Sequence, residues 1–69
     1  ILANLHLSAW REAAPEIARI AAPEARILAS GFLEDQELEV RGLFTSHGFT
    51  INKVRTQDGW MAVAALGPA

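Results

Sequence analysis

Trp60-Met61-Ala62-Val63-Ala64-Ala65-Leu66 is the longest apolar run in the chain, and Asp58-Gly59 stands just before it. Asp-Gly supplies the positive φ values that a twisted two-residue hairpin requires, so Thr50–Thr56 is expected to pair antiparallel with Trp60–Leu66. At the other end, Ile1-Leu2-Ala3-Asn4 reads as the closing residues of a strand whose beginning is missing. The chain is therefore expected to start inside a sheet. With a helix, a strand and a second helix in between, the order is strand end, helix, strand, helix, antiparallel terminal hairpin. That order is the back half of an α/β fold.

The first helix is legible from Leu7, Trp10, Ala14, Ile17 and Ala21, which recur at three- and four-residue steps with Arg11, Glu12, Glu16 and Arg19 between them. Pro15 lacks an amide hydrogen and crowds the preceding turn, which predicts a kink, or a short helix followed by a second one starting near Pro15. Pro23 ends the segment. Arg26-Ile27-Leu28-Ala29-Ser30 is apolar on both faces, as expected of a central parallel strand covered by helices, and Gly31 is expected to close it. Glu34, Asp35, Glu37 and Glu39 crowd the start of the next helix, where negative charge suits the macrodipole. Val40, Leu43, Phe44 and His47 form its apolar stripe, and Gly48 stops it.

Size and composition narrow the function. A chain of 69 residues is one domain at most, and near this length only about 60% of the unfolded surface is buried. An apolar share of 51% is more than so short a chain hides by itself, which points to a missing surface, either further sequence or another copy. The net charge is -2, with six basic residues scattered singly. Neither nucleic acid nor a membrane surface is an expected partner. No cysteine is present, so disulfides and thiolate metal sites are excluded, and a secreted domain of this size usually carries disulfides. No run approaches the roughly 20 residues needed to span a bilayer, and no signal-like segment opens the chain. A soluble, cytoplasmic protein is expected.

Ile1-Leu2-Ala3-Asn4, Ala14-Pro15-Glu16-Ile17-Ala18, Leu28-Ala29-Ser30-Gly31-Phe32-Leu33-Glu34-Asp35-Gln36 and Gly59-Trp60-Met61-Ala62 fall in register with the end of a known family. In sequence and spacing they resemble the S-adenosylmethionine-dependent methyltransferases that modify protein eleven of the large ribosomal subunit. The resemblance covers essentially the whole chain, read as a single partial domain over residues 1–69. It implies a Rossmann-like methyltransferase sheet of seven strands, of which this chain supplies the end of the fourth and then the fifth, sixth and seventh. It also implies transfer of methyl groups from S-adenosylmethionine to amino groups of a ribosomal protein. In the family an Asn-Ile-Leu motif lies beside cofactor and target amine, and its Asn falls immediately before the position matched by Ile1. The glycine-rich first loop and the acidic residue that holds the cofactor ribose are likewise outside the chain. The family's Gly-Gly turn before the fifth strand is replaced by Glu24-Ala25.

Methyl transfer is an in-line displacement by a neutral amine, so a protein must desolvate, deprotonate and align the two partners. The stretch placed to take part is Ile1, Leu2, Ala3 and Asn4, candidate cofactor-binding residues at the carboxyl end of a strand. Ser30-Gly31 ends the neighbouring strand and reads as turn chemistry or site lining. His6 has no second ligand at metal-binding spacing and reads as a solvated loop residue; His47 reads as a packed helix end. Trp10 and Trp60 are both expected in the core, and the Glu34-to-Glu39 run is expected to be a solvated helix start. No catalytic residue or metal site is assigned.

As a free chain the molecule is expected to be inactive, without measurable S-adenosylmethionine binding. A non-catalytic structural or self-association module derived from the same fold is the alternative. With the front half of the family's domain absent, an apolar face around Leu28 and Val63, or the Ile1 edge, is expected to meet another copy or the missing half.

Overall fold

The computed structural model describes residues 1–68. The elements are β1 (Leu2–Asn4), α1 (Leu7–Ile20), β2 (Arg26–Leu33), a 3-10 turn (Glu34–Gln36), α2 (Glu37–Ser46), β3 (Thr50–Gln57) and β4 (Trp60–Leu66). The strands form one sheet in the order β1-β2-β4-β3. β1 runs parallel to β2, with Leu2 opposite Leu28, Ala3 opposite Ala29 and Asn4 opposite Ser30. β4 lies between β2 and β3 and is antiparallel to both. The Asp58-Gly59 hairpin forms as expected, with φ of 53° and 83° at its two residues.

α1 starts where His6 caps it: the Nδ1 atom accepts from the Ala9 amide at 3.4 Å and lies 3.1 Å from Ser8 Oγ. His6 is an exposed residue outside the helix, as expected, and in addition its acceptor satisfies one of the otherwise orphaned amides. The helix continues through Pro15 without breaking in two. Pro15 sits on the exposed side, where solvent can take up the carbonyl it leaves unbonded, while Trp10 and Ala14 are buried on the other side. Tertiary packing thus outweighs the local cost of the proline.

β2 is longer than Arg26–Ser30 because Gly31 lies inside it. The register with β4 slips between Ala29 and Phe32, and Gly31 takes a φ of 101°. This is a bulge, and it carries the strand on to Phe32 and Leu33. Nor is β2 covered on both sides: Ile27, Ala29 and Phe32 are buried, whereas Arg26, Leu28 and Leu33 are exposed. The sequence run reads as two-sided because both faces of the strand are apolar.

A single core lies on one side of the sheet. Leu7, Trp10 and Ala14 of α1 and Val40 and Phe44 of α2 meet Ile27, Ala29, Phe32, Met61, Val63 and Ala65, with Phe49 closing one end. Trp10 is stacked obliquely on Phe44 at 5.0 Å between ring centroids, and Phe32 meets Phe44 edge-on at 6.2 Å. Two expectations are corrected by this arrangement. Val63 faces the helices and is buried, so the open apolar surface is built around Leu28 without it. Trp60 has the opposite parity from Met61 and is 57% exposed, because a strand's alternate residues go to opposite faces.

The acidic run is divided. Glu34 and Asp35 lie in the 3-10 turn, whereas Glu37 is paired with Arg41 and Glu39 with Arg11 of the neighbouring helix. Glu24 adopts a φ of 60° in the turn before β2. A glycine at that turn would adopt this left-handed conformation without steric cost.

Candidate functional site at the carboxyl edge of the sheet

β1 and β2 end at the same edge of the sheet, and the hairpin turn between β3 and β4 arrives there from the other side. Asn4 and Ser30 are neighbours by register, and the Leu5 amide donates to the Ser30 carbonyl at 3.0 Å as the chain leaves β1. The Glu34 amide donates to the Gly59 carbonyl at 2.8 Å, tying the exit of β2 to the hairpin. Between these ties lies an open cleft of about 740 Å³, lined by Asn4, Ser30, Gly31, Arg55 to Gln57 and Trp60 to Ala62. In open α/β sheets the crevice outside the carboxyl ends of the parallel strands is where ligands bind.

Gly31 makes this corner possible. A Cβ there would stand 2.8 Å from Asn4 Oδ1 and 2.9 Å from the Leu5 carbonyl oxygen, so only glycine lets the Asn4 side chain lie against the bulge. Ser30-Gly31 therefore lines the cleft, from a bulge inside β2 rather than from a turn that closes the strand. On the far side, Arg55 stands opposite Ala62 and Gln57 opposite Trp60. Asn4 at one end and Arg55 at the other thus stand on the two edge strands of the sheet, with the β2 bulge and β4 between them. The Trp60 indole is the one aromatic ring among the residues that line the cleft.

The candidate residues at the start of the chain divide. Asn4 lines this cleft and also a smaller one of about 410 Å³ on the same sheet face, which Leu2 and Ala3 line with Leu28. Ile1 lines neither; its amino group donates to the Arg26 carbonyl at 2.8 Å and fixes the sheet edge. His6 and His47 stand at the ends of helices, outside the lining. Arg55, Gln57 and Trp60 also line the cleft, and no motif in the sequence marks them for it. A signal for them exists, since the Asp58-Gly59 turn sets a register that puts Gln57 opposite Trp60 and both on the parity of Arg55.

Charge distinguishes the cleft from the helical surface. Arg11, Arg19 and Arg41 are each paired with a glutamate, and the Arg19 hydrogen bond holds the Glu16 carboxyl below its ordinary range. Arg55 is the only charged residue lining the cleft, and it has no ion-pair partner among the described residues. No cluster of metal-ligating side chains occurs among the described residues. No helix among them is long and apolar enough to cross a membrane.

Comparison with known proteins bears on this edge. The sequence profile described as "Ribosomal protein L11 methyltransferase (PrmA)" matches residues 1–66. Proteins of that description from Brucella suis (strain ATCC 23445 / NCTC 10510) and Brucella abortus (strain S19) are each 33% identical over 63 residues, which is 91% of this chain. The chain spans 22% of the length of these relatives. The crystal structure of a ribosomal protein L11 methylase from Lactobacillus delbrueckii subsp. bulgaricus superposes with a TM-score of 0.89 at 16% identity, covering all of this chain (100%) and 36% of that one. At that identity the likeness is one of fold. It bears out the methyltransferase-type α/β sheet.

Proposed function

The chain belongs to the ribosomal protein L11 methyltransferase family, and on that premise we propose that it forms the acceptor-side wall of a methyl-transfer site in a longer S-adenosylmethionine-dependent enzyme. The enzyme methylates amino groups of a ribosomal protein and works in the cytoplasm. The reading is carried by the convergence of Asn4, Ser30-Gly31 and Trp60 on one cleft at the carboxyl edge of the sheet.

The residues present do not fit S-adenosylmethionine as its holder. The cleft lining includes no carboxylate to accept from ribose hydroxyls, and β1 passes into α1 through Leu5-His6, without a glycine-rich turn. Ile1, Leu2 and Ala3 therefore adjoin the cofactor's place rather than grip it. What the chain offers is chemistry for the incoming amine. The Asn4 side-chain carbonyl is an acceptor that orients an amine N–H, and Trp60 gives an apolar surface for the methylene stem of a lysine. Covering that stem excludes water from the amine, which favours the neutral, nucleophilic form. By itself the chain is expected to transfer no methyl groups.

The test is a chimera in which this chain replaces the matching segment of the Brucella suis relative, assayed for methyl incorporation from labelled S-adenosylmethionine into large-subunit protein eleven. Activity is expected in the chimera and a loss of about tenfold or more in its Asn4→Ala and Trp60→Ala variants, the equivalent of one lost polar contact in the first and of lost apolar cover in the second. A folded chimera that binds the cofactor and transfers nothing would falsify the reading. The exposed Leu2, Leu28 and Trp60 favour a second reading, a non-catalytic module that associates through this face. Sedimentation of the isolated chain as a stable folded monomer at high micromolar concentration would remove it.

A further inference from the structure

The proposed methyl-transfer reading leaves Arg55 unexplained. A nearby guanidinium would favour the neutral form of an amine, but Arg55 stands on the opposite edge strand from Asn4, too far for that effect through solvent. Unlike Arg11, Arg19 and Arg41, it has no glutamate to neutralise it among the described residues. Arg55 is exposed, so water solvates it in the empty cleft, and a ligand that brings a carboxylate meets a planar guanidinium able to make two parallel hydrogen bonds with it.

Geometry says where that carboxylate lies on the ligand. Asn4 is opposite Ser30 in β2, Arg55 is opposite Ala62 in β4, and the strand order puts the two residues three strand spacings apart, along a row that crosses the bulge between Ala29 and Phe32. At about 4.8 Å per spacing the row is ~14 Å long, which an extended peptide covers in about four residues. Arg55 stands on β3, the edge strand opposite β1, and Gln57 stands two residues along on the same side of that strand, an amide able to bond a ligand backbone. Trp60 lies between the two ends as an apolar floor.

Resting on that reading of the cleft, we propose that Arg55 is a specificity residue that binds a carboxylate about four residues from the target amine of an extended acceptor segment. The cofactor also carries a carboxylate, at its amino-acid end. The distance from Asn4 to Arg55 assigns the acceptor as the source, because Arg55 stands on β3, three strand spacings from the β1 edge where the cofactor would adjoin.

The experiment uses the chimera described above and labelled lysine peptides carrying a single glutamate two, four or eight residues from the lysine, with an all-glutamine peptide as control. The four-residue peptide is expected to show a KM about tenfold below the control, an advantage that shrinks with added salt as a partly exposed ion pair should. Arg55→Ala is expected to erase the advantage, Arg55→Lys to retain part of it, and Arg55→Glu to reverse it in favour of a peptide with lysine at the same place. kcat is expected to move less than KM. Lys53→Ala, on the same strand but outside the cleft lining, is expected to keep the preference. A chimera that methylates all the peptides with equal KM overturns the role of Arg55 while leaving the cleft reading intact. A weakened cofactor Kd in Arg55→Ala, with the peptide preference preserved, overturns it in favour of the cofactor carboxylate. Absence of methyl transfer to any acceptor overturns the cleft reading, and this proposal with it.

Discussion

The two faces of the sheet differ more than the residues that make them. On the helical face Ile27, Ala29, Phe32, Met61, Val63 and Ala65 are buried against α1 and α2; one position along the same strands, Leu28 is 54% exposed and Trp60 57%. Leucine and tryptophan are as apolar as their buried neighbours, so hydrophobicity alone does not say which side is covered. The charges differ too. Every arginine on α1 and α2 is paired with a glutamate, whereas Arg55, on the open face, has no such partner among the described residues. One face is a packed core, and the other is open among the described residues.

Truncating one tryptophan on each face puts this contrast under the greatest load. Trp10 is fully buried at 0% exposure, and Trp10→Ala is expected to cost about 3–5 kcal/mol, enough to unfold most of so small a chain. Trp60→Ala is expected to change stability by less than about 1 kcal/mol. Thermal melts followed by circular dichroism separate the two, and equal losses would mean that the open face is covered in solution.

Gly31 tests whether any part of the open side is as constrained as the core. Its φ is 101°, and Asn4 Oδ1 lies 2.8 Å from the place an alanine methyl would occupy. Gly31→Ala must therefore both strain the backbone and push Asn4 aside. A loss of about 2–3 kcal/mol is expected in urea denaturation. An alanine variant as stable as the original would show that the bulge can relax and that Asn4 is not held.

A smaller effect in the opposite direction is expected at Glu24, in the turn entering β2. Its φ of 60° costs a non-glycine residue about 1 kcal/mol, part of which glycine returns in unfolded-state entropy. Glu24→Gly is expected to raise the midpoint of urea denaturation slightly, and a fall would mean that the glutamate side chain has a stabilising role.

The smallest effect concerns the paired charges of the helical surface. Because the Arg19 hydrogen bond lowers the folded-state pKa of Glu16, the pair's contribution is present above the unfolded carboxylate pKa and is lost as pH falls through the lower, folded value. An NMR titration of the Glu16 carboxyl is expected to move back up to the ordinary range in Arg19→Ala. No movement would leave the pair without energetic meaning, as is common for exposed ion pairs.

Much of the architecture is legible locally. The three- and four-residue spacing of Leu7, Trp10, Ala14 and Ile17 marks α1, and Asp58-Gly59 marks the hairpin, because both patterns reflect backbone periods that need no distant partner. The candidate site is legible only in part. Asn4 is recognisable as a strand end, and Ser30-Gly31 reads as one although β2 runs on to Leu33; Arg55 and Gln57 carry no motif, and Trp60 reads as core.

Which residues share a helix stripe, a strand parity or a turn is written into the chain, since these follow from bond geometry along a few consecutive residues. Which parity faces the helices is not, because the covering of one sheet face depends on where α1 and α2 pack and not on the strands. For that reason Val63 goes inward and Trp60 outward. The bulge at Gly31, the continuity of α1 through Pro15 and the placing of Asn4 and Arg55 at the two ends of one cleft have the same origin: each depends on contacts between segments far apart in the chain, where packing energy exceeds local preference.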